Sequence, residues 1–268
     1  MFFYSQIEPL YFILPLIGLV IGLFGTILGG GGGFFFLPVL TLILGVDAQI
    51  AVITSLVATL PVCIVGVLSH HRKGHVSFKT GLLFSIAGIA GAFSGTGIAV
   101  IMSSSQLKSA FGIYSVFIAL IIILTTVRKN DKTDEGSCNV KDFNHTVVKR
   151  VKGFFFGFGA GVITGAFGTS GTAPVLAGLF SMRIMFKLVV GTSLFVVLIN
   201  TCFAVGAHFL LGKIDLTLVW FLTAGSALGA FLGPRLLAGY KKADSSENSV
   251  RYIYALAMVI LGVLMITN

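Results

Sequence analysis

The chain contains one sequence unit twice, and this repeat limits its fold more than any other feature. Residues 26–95 align without a gap onto residues 164–233, each residue displaced by 138 positions. The triplet Thr-Ser-Leu at 54–56, for example, recurs at 192–194. In a strongly apolar chain, a duplicated unit with interrupted hydrophobic segments is typical of transporters that bind their substrate between the two repeats.

The composition indicates that the lipid bilayer surrounds this chain. Its 268 residues are 56% hydrophobic and only 10% charged, with a mean hydropathy of +1.03. Soluble domains contain a larger share of charged residues and are less hydrophobic. Apolar runs of about 20 residues recur, which is the length that a hydrocarbon core requires of a spanning helix. The long candidate spans are 9–28, 48–70, 80–101, 108–127, 152–168, 188–211, 216–239 and 250–266, and two shorter runs are 34–45 and 173–182.

The net charge of +9 does not indicate a nucleic-acid partner. The Lys and Arg residues lie in short loops, where they orient membrane proteins. One long polar stretch, 128–152, divides the chain near its middle. We therefore predict a first membrane repeat over residues 1–128, a polar cytoplasmic linker over 129–151 and a second membrane repeat over 152–268.

The distribution of Lys and Arg distinguishes two arrangements of the halves. If the short runs add no crossing, the halves run parallel and the loops on the two sides hold 11 and 7 of these residues. If each short run forms a hairpin with the preceding long segment, the halves are inverted and the split is 16 against 2. The positive-inside rule favours the second arrangement. We predict an all-α polytopic membrane protein of two inverted repeats, each with a Gly-tipped hairpin and three transmembrane helices, and with both termini outside.

The tips of the two hairpins form the first candidate binding site. The returning arms have 12 and 10 residues, too few at 1.5 Å per residue to cross a core of about 30 Å, so we expect the tips to meet near mid-membrane. The helix that follows each tip presents unpaired N–H groups and a positive dipole end, which suit an anion. The predicted substrate-binding residues of the tips are Gly30, Gly31, Gly32, Gly33, Gly168, Thr169, Ser170, Gly171 and Thr172.

Glycine in a membrane helix has a second explanation, which is close packing between helices. We favour packing for two sets at spacings of three and four, namely Gly88, Gly91 and Gly95, and Gly225, Gly229 and Gly233. Packing explains the five consecutive glycines at 29–33 less well, because a packing face needs glycine only once per turn.

The repeated hydroxyl pairs form the second candidate site. They are Thr54 and Ser55 in the first half, and Thr192 and Ser193 in the second. The alternative is that these hydroxyls bond back to carbonyls of the preceding turn. Recurrence of the triplet in both halves favours a substrate contact. Two further polar residues on the same helices, Thr59 and Asn200, have no polar counterpart in the other half and rank lower.

His70 and His208 end the helices that carry these pairs. Histidine titrates near neutral pH, so either residue could gate the transporter or couple it to protons. An interfacial ring hydrogen-bonded to the helix end is an equally good interpretation.

No acidic residue lies inside a long apolar run. Proton- and cation-coupled carriers usually keep such a carboxylate, so this pattern favours an anion held by dipoles and hydroxyls. Cys63, Cys138 and Cys202 show no metal-ligand spacing, and we expect Cys63 and Cys202 to be small core residues. We expect no cofactor, no metal and no membrane enzyme, which would need a nucleophile, a carboxylate pair or a metal cluster.

A longer motif extends through the first half. It comprises Gly-Thr-Ile-Leu-Gly at 25–29 before the glycine run, Asp-Ala at 47–48, Thr-Ser at 54–55 and Arg-Lys-Gly-His-Val at 72–76. This pattern resembles the sulfite exporter TauE/SafE family, although the second tip, 168–174, departs from the family by carrying more hydroxyls. The resemblance implies a bacterial inner-membrane protein, often described with eight spans in two repeats, that moves small sulfur-containing anions such as sulfite, thiosulfate or organosulfonates.

We therefore predict a secondary transporter of a small sulfur oxyanion or organosulfonate. It would work by alternating access, with one repeat rocking against the other around a midplane site. An anion channel and a non-transporting assembly or sensor subunit are the alternatives. A monomer and a homodimer are equally compatible with the sequence.

Overall fold

The computed structural model describes residues 2–5, 8–28, 32–129, 147–182, 184–211, 214–238 and 247–267. Its first half consists of helices that coincide with the apolar runs and are separated by short polar or glycine-containing turns. Its elements are the strand β1 (Phe2–Phe3), a 3₁₀ turn (Pro9–Ile13) leading into α1 (Leu14–Leu28), α2 (Gly33–Pro38) continued by a π-helical turn (Val39–Ile43), α3 (Ala48–Arg72), α4 (Phe78–Ile101) and α5 (Ser104–Lys129).

The second half follows the same order. Its elements are α6 (Val147–Phe167), α7 (Thr172–Ser181), α8 (Phe186–Leu211), the strand β2 (Ile214–Asp215), α9 (Leu216–Ala238) and α10 (Glu247–Thr267). Each long span expected from the sequence coincides with a long helix, and each short run with a short one. Strands β1 and β2 pair in parallel. Most of the predicted linker, 129–151, lies outside the described residues.

The helices belong to a multi-pass membrane protein. Within the described residues, six helices are long and apolar enough to cross a bilayer: Pro9–Thr26, Ala48–Arg72, Phe78–Ile101, Ser104–Leu124, Lys187–Leu210 and Leu216–Gly233. Large apolar side chains cover the outer surface; Ile101 is 87% exposed and Trp220 is 70% exposed. In water such a surface would be unfavourable, whereas lipid tails solvate it.

Helices α4 and α6 pack backbone to backbone through glycine. A Cβ atom added at Gly157 of α6 would lie 2.9 Å from Cα of Phe84, and one added at Gly91 of α4 would lie 2.9 Å from N of Val162. Residue numbers at successive contacts increase along both helices, so α4 and α6 run parallel.

Helices α1 and α9 form the equivalent pair with the two halves exchanged. A Cβ atom at Gly225 would lie 2.7 Å from Cα of Pro15, and one at Gly229 would lie 2.9 Å from Cα of Leu19. These helices also run parallel to each other. The packing interpretation is confirmed at both pairs, because a side chain at Gly91, Gly95, Gly225 or Gly229 would overlap the backbone of the neighbouring helix.

The helix contacts divide most of the chain into two bundles. Bundle A contains α1, α2, α3 and α9, and bundle B contains α4, α6, α7 and α8. Bundle B has its own apolar core, which includes Phe84, Val175, Leu179 and Val196. The bundles meet mainly where α3 contacts α8. Helices α5 and α10 pair with each other and share the apolar core of bundle A, where the ring of Phe111 lies 5.0 Å from that of Phe34. Each bundle therefore contains helices from both halves of the sequence.

The two described cysteines differ in their environments. Cys63 is buried in α3, as expected, but Cys202 is exposed on α8. The expectation that both are core residues is therefore wrong for Cys202, because its side of α8 faces away from the neighbouring helices.

Candidate functional site

The first glycine tip reverses the chain between α1 and α2. Residues 29–31 lie outside the described part, so the positions of Gly30 and Gly31 are not described. Gly32 precedes α2 with a φ of 69°, in the left-handed region that favours glycine. A Cβ atom there would lie 2.9 Å from the carbonyl oxygen of Ile21. The reversal thus needs both the conformation and the small size of glycine.

The second tip reverses the chain between α6 and α7. Gly171 precedes α7 with a φ of 49°. A Cβ atom at this residue would lie 3.1 Å from the carbonyl carbon of Ala160 and even closer to its oxygen. This tip is therefore pressed against the backbone of α6.

The two tips touch each other. A Cβ atom at Gly33 would lie 3.2 Å from N of Ser170, 3.4 Å from O of Gly168 and 2.7 Å from Oγ1 of Thr59. Residues more than 130 positions apart in sequence thus share one contact. This geometry agrees with the expectation that the tips approach each other.

Ser55 connects the second tip to α3. Its Oγ lies 2.8 Å from O of Val52 and 3.0 Å from O of Gly168, and it donates to these carbonyls. Because its single proton is directed at protein acceptors, Ser55 positions the tip in this conformation.

The remaining hydroxyls of the second tip differ in their partners. Oγ1 of Thr172 lies 2.7 Å from Oγ of Ser170, to which it donates. Thr169 is 2% exposed, and its buried Oγ1 has no hydrogen-bond partner. A buried hydroxyl without a partner is unfavourable, so Thr169 has a donor available for a bound molecule. It lies three residues before α7, where backbone N–H groups also lack helical partners.

The three remaining hydroxyls of the repeated Thr-Ser pairs have other partners. Thr54 donates to O of Ile50 over 2.9 Å, and Ser193 donates to O of Val190 over 2.8 Å. Thr192 instead accepts from N of Ser77 over 2.9 Å. Thr192 therefore lies against the turn between α3 and α4, and its described contact is not with a tip.

The two histidines lie in different surroundings. His208, near the end of α8, is buried, and its Nε2 lies 2.8 Å from O of Gly165 in the last turn of α6 before the second tip. His70, near the end of α3, lies beside Gly191 of α8, with its ring 6.2 Å from that of His75. His70 thus lies where helices of the two halves meet, whereas the described bond of His208 stays within the second half.

The contact between the tips contains hydroxyls and main-chain groups but no charged side chain among the residues described there. Within the described ranges, no group of three or more His, Cys, Asp or Glu residues could hold a metal ion. The site can thus offer the Thr169 hydroxyl and the N-terminal end of the α7 dipole, which together suit a small anion.

Two buried polar residues in the middle of helices were ranked low from the sequence. Thr59 lies directly against Gly33, although its counterpart in the second half is Val197. Asn200 is buried in the middle of α8 without a hydrogen-bond partner. The sequence did contain a signal, because each is a polar residue in the middle of an apolar span. Both ranked low because neither recurs in the other half.

Comparisons with known proteins identify the family of this chain. The "Probable membrane transporter protein YunE" of Bacillus subtilis is 24% identical over 94% of this chain and 96% of its own length. The "Probable membrane transporter protein YdhB" of the same organism is 24% identical over 83% of this chain and 87% of its own length. No solved structure matches the chain. Residues 14–265 match the family described as "Sulfite exporter TauE/SafE", and the chain therefore belongs to the sulfite exporter TauE/SafE family.

Proposed function

We propose that this chain is a secondary transporter that moves a small anion, of the sulfur oxyanion or organosulfonate type, across a bacterial inner membrane. Family membership and the names of both Bacillus relatives support a membrane transporter rather than an enzyme. The family description supports a sulfite-like substrate. The bacterial source of the relatives supports the inner membrane.

The observation that carries the proposal is the contact between the two tips beside α7. There, Thr169 has a buried hydroxyl with no partner, and the N-terminal end of α7, with its positive dipole end, follows three residues later. An anion would accept from this hydroxyl and interact favourably with the helix dipole. A carboxylate would favour a cation, and the residues described at this contact include none.

We further propose that the halves are inverted repeats. Contacts between His70 and Gly191 and between Gly66 and Leu194 indicate that α3 and its counterpart α8 run antiparallel. Helix α4 runs parallel to α8, since Gly81 contacts Phe195 and Gly88 contacts Asn200.

The other pairs of counterpart helices also run antiparallel. Only residues 212–215 separate α8 from α9, so α9 returns antiparallel to α8 and to its own counterpart, α4. Because α1 runs parallel to α9 and α6 runs parallel to α4, α1 and its counterpart α6 are also antiparallel. Opposed counterparts are the property that defines an inverted repeat.

Thiol labelling tests the inversion. Asp47 and Met185 occupy equivalent positions before α3 and α8, and both side chains are exposed. We expect D47C to react with a membrane-impermeant maleimide in intact cells and M185C to react only after permeabilisation. Reaction of both variants from the same side would contradict the proposal.

The contacts also support a particular form of alternating access. The glycine-lined pairs α1–α9 and α4–α6 join the halves too closely for one half to slide past the other. We therefore propose that bundle A and bundle B are the moving bodies and that the α3–α8 junction is the surface between them. The tips lie beside this junction, one in each bundle.

Uptake into proteoliposomes tests the transport function. We expect saturable uptake of labelled sulfite or thiosulfate, with accelerated exchange when unlabelled anion is present inside. Repeating the assay with an imposed pH gradient would show whether protons are coupled. Non-saturating flux without exchange would indicate a channel. No flux of sulfite, thiosulfate, sulfate or simple sulfonates would contradict the proposed substrate class.

A further inference from the structure

Asn200 is a buried amide without a hydrogen-bond partner. It is 0% exposed, and neither Nδ2 nor Oδ1 finds a partner. An amide that loses water on burial and gains no replacement destabilises the protein, so such a group in a native structure needs an explanation. The explanation must involve a partner able both to accept from Nδ2 and to donate to Oδ1.

Glycine on the adjacent helix creates the space for this amide. A Cβ atom at Gly88 of α4 would lie 2.6 Å from Nδ2 and 2.7 Å from Cγ of Asn200. Any residue other than glycine at position 88 would therefore displace the amide. The side chain occupies a defined notch between α4 and α8.

The notch lies beside the second tip. Gly171 contacts Ala160 of α6, and the next residue of α6, Gly161, contacts Gly88. The tip and Gly88, which forms one wall of the notch, thus contact neighbouring residues of α6. Asn200 also follows Ser193 by seven residues, which places the two side chains on one face of α8.

The equivalent interface in the other half does not need an amide. The counterparts of Asn200 and Gly88 are Val62 in α3 and Ser226 in α9. There, Ser226 donates to O of Ala58 over 2.7 Å and is satisfied. An apolar residue plus a paired hydroxyl therefore completes this helix interface, so packing alone does not explain Asn200.

We propose that Asn200 is a specificity-determining residue that binds the transported anion, a role that rests on the transport function proposed above. Nδ2 donates to an oxygen of the anion, while Oδ1 accepts from an O–H or N–H group that the same anion carries. The preferred substrate class is therefore an oxyanion that also bears a hydrogen-bond donor. Hydrogensulfite and hydroxyl- or amino-substituted sulfonates belong to this class, whereas sulfate and thiosulfate do not at neutral pH.

Two sulfonates of equal charge test this specificity. They are 2-hydroxyethanesulfonate and ethanesulfonate, which differ by one hydroxyl group. Thermal stabilisation of the purified full-length protein by each anion gives its dissociation constant. We expect the wild-type protein to bind the hydroxylated anion about tenfold more tightly, because an unmatched buried polar group penalises the other anion.

Substitution of Asn200 should abolish this preference. N200V introduces the residue found at the equivalent position, and N200L provides a closer match in volume. We expect both variants to bind the two sulfonates with equal affinity while the ligand-free protein melts no lower than wild type. The matched control S226A removes a paired hydroxyl at the equivalent interface and should keep the preference.

The outcomes separate this inference from the transport proposal. Equal binding of the two sulfonates by wild type, or a preference unchanged in N200V and N200L, would overturn the role of Asn200 and leave transport standing. Such a result would mean that Asn200 holds only a structural water. If sulfite, thiosulfate and both sulfonates all fail to stabilise the wild-type protein, both proposals are overturned.

Discussion

At the scale of single residues, the candidate site depends on main-chain geometry that side chains would obstruct. Gly171 adopts a left-handed conformation while its backbone touches α6. Ser55 donates a hydrogen bond to the carbonyl of Gly168 in the same tip. In the proposed site, Gly171 and Ser55 shape the tip, whereas Thr169 offers a hydroxyl donor.

Replacing Gly171 by Val should abolish transport. A left-handed residue with a Cβ atom costs about 1–2 kcal/mol, and the added atoms would also collide with the turn of α6 at Ala160. Membrane insertion should persist, because the apolar helices are unchanged. The control is Gly206→Val in α8, where an added Cβ meets nothing within 4 Å. Initial uptake rates, normalised to protein in the proteoliposomes, measure the effect, and normal uptake by G171V would refute the assigned tip.

Replacing Ser55 by Ala should weaken substrate affinity more than folding. Loss of one buried hydrogen bond is worth about 1 kcal/mol, which corresponds to roughly a fivefold rise in KM. The matched control is Ser94→Ala, because Ser94 donates to O of Ala90 on the exposed side of α4. A KM equal to that of wild type would show that the bond from Ser55 to Gly168 does not position the site.

At the scale of helices, glycine decides which pairs approach closely. Without a hydrophobic force between helices in lipid, close backbone packing supplies much of the attraction. Glycines on α4 and α6, and on α1 and α9, provide that approach. The resulting pairs connect the two halves and define the bundles that flank the tips.

Two glycines of α6, two residues apart, allow a matched test of this packing. A Cβ at Gly157 would overlap the backbone of Phe84, whereas one at Gly159 meets nothing within 4 Å. We expect Gly157→Val to destabilise the protein by about 1–3 kcal/mol, as overpacking does, and Gly159→Val to have little effect. Melting temperatures of the detergent-solubilised proteins measure the difference. Similar melting of the two variants would contradict close α4–α6 packing.

At the scale of the whole molecule, the moving bodies that we propose differ from the two sequence halves. Bundle A and bundle B each combine helices from both halves. A cross-link between halves but within one bundle should therefore be tolerated. A cross-link between the bundles should stop the transport cycle.

Reversible disulfides test this distinction in a chain whose native cysteines are replaced. The pair T26C and G233C joins α1 to α9 within bundle A, where a Cβ added at Gly233 would contact Oγ1 of Thr26. The pair H70C and G191C joins α3 to α8 across the junction, where Cβ of His70 lies 3.0 Å from a Cβ added at Gly191. We expect oxidation to arrest uptake only in the second pair, and reduction to restore it.

The single variants H70C and G191C control for the loss of each native residue. Their uptake should not respond to oxidant. If the oxidised H70C and G191C pair transported as fast as its reduced form, α3 and α8 would not separate during the cycle. If the T26C and G233C pair were arrested instead, the sequence halves would be the moving bodies.

The sequence alone determined the membrane class, the positions of the helices and the places where the chain reverses. These properties are local: a run of about 20 apolar residues forms a helix in lipid because its backbone must satisfy its own hydrogen bonds. Five consecutive glycines at 29–33 identified the first tip, because they exceed what helix packing needs. The repeat then identified the second tip at the equivalent positions.

Only the tertiary structure decided which of the repeated residues meet. Equivalent residues of the repeat look alike in sequence, yet Thr54 donates to O of Ile50 within its own helix, whereas its counterpart Thr192 accepts from N of Ser77 in the turn before α4. The same holds for Asn200, whose isolation as an amide depends on Gly88 in a different helix. Such relations depend on contacts between residues far apart in the chain, and the pattern of apolar and polar residues along one helix does not specify its neighbour.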